Sequence, residues 1–194
     1  MLIDSQNKVN AIRDVCSALL EGNESRARTI ASRDYPFTPV PKTRAKWSAR
    51  DSLRIFVRDG FIDRYSGDLL VFPGMLRVIS TLLPEAFPYH PHGKLSECHM
   101  VHWELYPSVD HMTPLSRGGK DDEGNRVTTS MLRNMAKSNW TLEELGWELL
   151  PPGDYGKWDG LTEEFIRLVE KHGELLDKVQ IRLWHSAAME AVRS

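Results

Sequence analysis

Cysteine is scarce in this chain. Cys16 and Cys98 are the only two, they stand far apart, and they form no C-x-x-C pair. That spacing argues against both a disulfide framework and a cysteine-rich zinc site. Long apolar runs are missing as well. No stretch approaches the roughly eighteen apolar residues of a membrane helix, and the N-terminus carries no basic-then-apolar leader. A cytoplasmic protein without a membrane partner is the simplest expectation. Charge of one sign is also lacking: 25 Lys and Arg stand against 27 Asp and Glu, for a net charge of -2. The total therefore gives no sign of a polyanion binder. Internal repeats and low-complexity segments are absent too.

What remains is the composition of an ordinary globular protein, 41% apolar and 27% charged over 194 residues, long enough for one sizeable core. The charge is unevenly placed. Seven basic residues (Lys42, Arg44, Lys46, Arg50, Arg54, Arg58 and Arg64) face three acidic ones between positions 42 and 64, whereas eleven acids outnumber six bases from Trp140 onward. One part of the molecule can attract a phosphate backbone that the other repels. A solvated helix face with a surplus of arginine is the plainer reading of the first segment.

Apolar periodicity predicts two helices over residues 4–34. Val9, Ile12, Cys16, Leu19 and Leu20 form the stripe of the first, and Gly22-Asn23 marks the break. The proline-bearing segment 36–42 reads as a stiff connector, and 43–58 as a helix packing through Trp47, Leu53, Phe56 and Val57. Pro73 can open a buried helix running to Leu83, and 84–93 is a loop. His90 and His92 in that loop are weak evidence for metal ligation. Residues 99–105 read as a strand with His102 and Glu104 on one face. That pair is an accessory candidate for metal or phosphate, and a polar edge supporting the next element is the simpler reading. Thr141 with Glu144 forms a capping-box pattern ahead of LEELGWELL. Two further helices follow, with stripes at Leu161, Phe165, Leu168 and Val169, then at Leu176, Val179, Leu183 and Ala187. Trp147, Trp158 and Trp184 read as packing anchors, since nothing basic surrounds them.

The stretch that organises the chain is 109–137, VDHMTPLSRGGKDDEGNRVTTSMLRNMAK. It brings together a hard carboxylate at Asp110, an imidazole at His111, amides at Asn125 and Asn134, and an ammonium at Lys137. Hydrolysis of a phosphodiester with one divalent metal needs those groups. The ordered pattern DH-x-x-P-x-S-x-G-G, then N, then N-x-x-K resembles the HNH, or ββα-metal, nuclease family over roughly 30 of the 194 residues. Here it reads Asp110, His111, Pro114, Ser116, Gly118, Gly119, Asn125, Asn134 and Lys137.

The resemblance implies an α+β fold in which a β-hairpin and a helix surround one Mg2+ or Mn2+, embedded in additional helices. It places a helical extension at 1–35, a nuclease domain at 43–147 with its core motif at 99–140, and a helical region at 148–194 packed on that core. Asp110 and Asn134 would hold the ion, and His111 would deprotonate the attacking water. Asn125 would tie the loop to the hairpin and orient His111. Lys137 is the leading phosphate contact, with Arg117 and Arg133 behind it and Arg54 and Arg58 on the basic helix. Double-stranded DNA is the preferred substrate, cut to 5'-phosphate and 3'-hydroxyl ends by a restriction-type or other defence enzyme. A homodimer follows if both strands are cut. Two features depart from the family pattern. Asp63 and Ser66 stand where a cysteine knuckle often sits, and TSMLR at 129–133 lacks the matching cysteines, so no structural zinc is expected. Packing by Phe61, Tyr65, Leu69, Leu70 and Phe72 is left to hold that turn. From another class, the chain could be a catalytically silent module that only binds nucleic acid through its basic segment.

Overall fold

The computed structural model describes residues 5–37 and 47–191, in two compact units spanning 1–43 and 44–194. The first unit is a helical hairpin of α1 (Ser5–Leu20) and α2 (Glu24–Asp34). Asn23 caps α2 by accepting from Arg26 N. Ala18, Ala27 and Ile30 close the pair, with Val15 beside them. The stripe anticipated for α1 is not what this hairpin buries. Val9, Ile12, Leu19 and Leu20 are exposed, whereas Ala11 and Ala18 are buried. Small side chains let two helices approach closely, so the alanines take the contact.

The connector and the start of the predicted 43–58 helix lie largely outside the described residues. Its remainder is α3 (Ala49–Arg58), opened by a capping box between Ser48 and Asp51. Then follow α4 (Pro73–Leu82), a short α5 (Val101–Glu104), β1 (Pro107–His111), β2 (Arg126–Ser130) and α6 (Met131–Lys137). The chain continues through α7 (Leu142–Leu145), α8 (Thr162–Lys171) and α9 (Val179–Ala191). The fold is α+β: helices around one two-stranded antiparallel sheet, paired from Pro107 opposite Ser130 to His111 opposite Arg126.

The core of the second unit lies among α3, α4, α8 and α9. Leu53, Phe56, Phe61, Phe72, Val78, Phe165, Val169, Ile181 and Trp184 pack together there. Phe72 meets Phe165 and Trp184 edge-on, with ring centroids 4.9 and 5.5 Å away. Such contacts add roughly 0.5–1.5 kcal/mol each to the area they bury. The C-terminal helices thus complete the core behind the sheet.

Several predicted elements are corrected. Residues 99–105 form no strand. His99 Nδ1 accepts from Val101 N, and the chain turns into α5, burying Val101, His102 and Trp103 consecutively. An alternating strand cannot bury three neighbours on one face. The strand starts only at Pro107, a first position where a missing N–H is tolerated. Residues 129 and 130 belong to β2, and Ser130 caps α6 by accepting from Arg133 N. The helix at 142–150 stops after one turn, because Gly146 takes a left-handed conformation. Its Thr141–Glu144 capping box is formed as anticipated. On α9 the buried positions are Ile181, Trp184, Ala187 and Ala188, while Val179 and Leu183 are exposed. Trp184 and Ile181 set that phase because each buries more apolar area than Val179 does.

Candidate active site

Side chains alternate along β1, which sends Asp110 and His111 to opposite faces. Asp110 turns toward α6 and the turn at 59–68. Its Oδ2 accepts from Tyr65 Oη at 2.7 Å and forms an ion pair with Lys137 Nζ at 2.9 Å. Burial and the neighbouring Asp110 charge raise the Tyr65 pKa far above its ordinary value, so this hydroxyl remains a donor. Lys137 is fully buried and also donates to the His111 carbonyl at 2.8 Å. This corrects the phosphate contact anticipated for it. A buried ammonium already shared between a carboxylate and a carbonyl is a strut between α6 and β1.

Asn134 lies one turn before Lys137. Its Nδ2 donates to Ser108 Oγ at 2.7 Å and to the Val109 carbonyl at 3.3 Å. Ser108 and Asp110 share a face of β1, so α6 presents Asn134 and Lys137 to neighbouring points on that face. Asn134 Oδ1 and Asp110 Oδ1 have no hydrogen-bond partner among the described residues. Two hard oxygens with substrate and water making up the rest suit Mg2+ or Mn2+. The described residues contain no group of three or more His, Cys, Asp or Glu placed to hold an ion. An ion bound here would therefore rest on these two side chains and on what the substrate brings.

His111 faces the long loop. Its Nε2 lies 2.8 Å from Asp121 Oδ1, and Arg126 donates to the same oxygen at 2.8 Å. The Arg126 guanidinium, followed by the His111 ring, holds the Asp121 carboxyl below the usual carboxylate range. A carboxylate only accepts, so Nε2 carries a hydrogen, and in the neutral ring Nδ1 then carries the lone pair. Trp47 completes this face, 6.0 Å from the His111 ring and 4.1 Å from the Arg126 guanidinium.

Asn125 links the two ends of the loop. Its Oδ1 accepts from Thr113 N at 2.9 Å, and its Nδ2 donates to the carbonyls of Thr113 and Lys120. The two glycines are needed in this loop. Gly118 has φ +85°, and a Cβ on Gly119 would collide with the Thr113 carbonyl.

The arginines divide. Arg117 reaches the Asn139 carbonyl and Glu144, Arg133 pairs with Asp63 and Asp68, and Arg58 holds Asp59 and the carbonyls of Glu123 and Arg126. Each is a brace within the fold and about a third exposed. Arg54 alone of the five cations keeps a mostly exposed side chain, with a 3.4 Å approach to Glu123. The accessory pair separates as well. His102 is buried with its Nε2 2.9 Å from Ser80 Oγ, while Glu104 is exposed at the end of α5. His92 N donates to His90 Nδ1, and His90 Nε2 lies 3.6 Å from Glu97.

The turn at 59–68 is held by carboxylates as well as by apolar packing. Asp59 and Asp63 are both fully buried. Asp63 accepts from Tyr65 N, Thr129 Oγ1, Ser130 N and Arg133 Nε at 2.9–3.3 Å. Asp59 accepts from Thr128 N at 2.7 Å, and Arg64 N donates to the Thr128 carbonyl. The turn thereby pairs the outer edge of β2 as a third strand would. It also places Tyr65 against Asp110. Sequence reasoning missed Asp121, Arg126, Tyr65, Ser108 and the two buried aspartates. Only the Asp121-Asp122 pair inside the motif loop offered a signal.

Among the described residues no helix is long and apolar enough to cross a membrane. Comparison with family models, curated proteins and solved structures finds no match to this chain.

Proposed function

We propose that the protein is a metal-dependent endonuclease of the HNH, or ββα-metal, type that hydrolyses DNA phosphodiester bonds. One observation carries the reading: a β-hairpin followed directly by a helix sets Asp110 and Asn134 on one face and His111 on the other, with Asn125 clamping the loop between. Asp110 Oδ1 and Asn134 Oδ1 are the groups that would hold Mg2+ or Mn2+. A divalent cation bound there neutralises charge on the phosphate and on the departing oxygen. Asp121 fixes the His111 ring and its tautomer, leaving Nδ1 to take a proton from water. Imidazole is the side chain most often used as a general base. Lys137 and Tyr65 orient Asp110 by binding its other oxygen. Cleavage by attack of water with loss of the 3' oxygen yields 5'-phosphate and 3'-hydroxyl ends. A cytoplasmic, restriction-type role belongs to the same proposal.

Supercoiled plasmid incubated with the protein in Mg2+, Mn2+ or EDTA tests this reading. Nicked or linear products that require metal and carry 5'-phosphates are the expected result. Intact plasmid under every condition, for several unrelated plasmids, would overturn it. A silent nucleic-acid-binding module is the second reading, and the Lys137–Asp110 ion pair favours it, because an ammonium already neutralises the carboxylate. That reading predicts salt-sensitive DNA binding indifferent to EDTA.

A further inference from the structure

Away from the hairpin, an open cavity of about 360 Å3 is lined by α4, the loop before α5, α5 itself and α6. Arg77, Tyr89, His102, Trp103, Met131 and Met135 are the lining residues that matter. Its volume falls within the range of small-molecule sites. Two buried side-chain polar atoms lack a hydrogen-bond partner among the described residues, Arg77 Nε and His102 Nδ1, and both belong to residues of this lining. Buried polar groups are nearly always satisfied, so two orphans on one cavity need an explanation.

Arg77 forms no ion pair among the described residues. Its guanidinium lies over the Tyr89 ring and donates to the Tyr89 hydroxyl, which leaves its positive charge uncompensated. His102 is 94% buried by its 6% exposure and packs edge-on against Tyr89 at 4.9 Å. Ser80 Oγ can donate to His102 Nε2, and Nδ1 then carries the ring hydrogen. The cavity thus offers a cationic donor, the Arg77 guanidinium, beside a neutral imidazole. Its other walls are an indole and two thioethers, surfaces that accept a flat ring.

We propose that this cavity binds a small planar organic anion, its acid group on the open edge of the unpaired Arg77 guanidinium and its ring against Trp103, Met131 and Met135. Two sources share that chemistry, an aromatic carboxylate and a nucleotide carrying a terminal phosphate. The proposal is independent of the hairpin's activity.

Calorimetric titration of the intact protein with indole-3-acetate and with dAMP tests it, with indole and deoxyadenosine as the uncharged counterparts. One of the anions should bind with Kd below about 1 mM, and its uncharged counterpart at least about tenfold more weakly. The anion that binds identifies the source. Arg77→Gln, which removes the charge from a half-buried side chain, should weaken binding about 10- to 100-fold. Met135→Trp, a change at an exposed helix position, should block the cavity without disturbing the core. No heat from either anion up to about 10 mM would overturn the proposal. So would equal binding of charged and uncharged probes, or binding unaffected by both variants.

Discussion

Replacing Asp63 by alanine should damage this protein more than almost any other polar substitution. The Asp63 carboxylate is buried and serves two backbone N–H groups, the Thr129 hydroxyl and the Arg133 guanidinium. Removing it leaves the Tyr65 and Ser130 amides without acceptors in a water-free setting, at roughly 1–3 kcal/mol each. Of its ion pairs, Arg133 keeps only the 3.6 Å approach to Asp68. The terms share one network and do not add, so a total of about 3–5 kcal/mol is the reasonable magnitude. A domain of this kind is stable by about 5–15 kcal/mol, so the loss takes a large share. Asparagine keeps the shape but turns one acceptor into a donor facing an N–H, and should cost about 2–3 kcal/mol. Urea denaturation followed by circular dichroism measures both. A midpoint for Asp63→Ala within about 0.5 kcal/mol of the parent would refute the idea that this carboxylate staples the 59–68 turn to β2 and α6.

Lys137→Met should destabilise by about 3 kcal/mol. Combined with Asp110→Asn it should cost clearly less than the two singles together, because the pair is broken only once; an additive double-mutant cycle in urea would count against the strut. Stability should also fall on mild acidification. Burial first, then the charges of Arg77 and His99, pull the His102 pKa down from 6.5 to about 4. Between those values the unfolded chain binds the proton and the native state does not. Up to about 3 kcal/mol is therefore lost as pH falls from about 6.5 toward 4, and His102→Gln should flatten that slope in urea titrations at stepped pH. Ser138 closes α6 at φ 47° and ψ -123°, a region suited to glycine. Ser138→Gly should raise stability by about 1 kcal/mol, seen as a higher urea midpoint.

The hairpin residues were legible because their order is local. Asp110, His111, Asn125 and Asn134 fall within 25 consecutive positions, and strand alternation alone sets the first two on opposite faces. The helical hairpin at the N-terminus and the capping box at Thr141 were legible for the same reason. What escaped was long-range pairing. Nothing in RDGFIDRY announces that Asp59 and Asp63 bond to a strand more than sixty residues later. The strut role of Lys137 and the partners of Arg133 and Arg58 were not legible because a cation's partner is chosen by tertiary placement, and here each found a buried acid or a carbonyl. Residues 99–105 were misread because alternation was judged on His102 and Glu104, while the burial of Val101 and Trp103 beside His102 decided for a helical turn. The α9 stripe shifted phase because the bulky Trp184 outweighed Val179 and Leu183.

The most direct test of the central claim is the rate at which His111→Ala cleaves plasmid DNA in Mn2+, compared with the parent under single turnover. Loss of the base should lower the rate at least about 100-fold while DNA binding and urea stability stay near parental values. A variant that cleaves at the parental rate would contradict the assignment of His111, and with it the chemistry proposed for this hairpin.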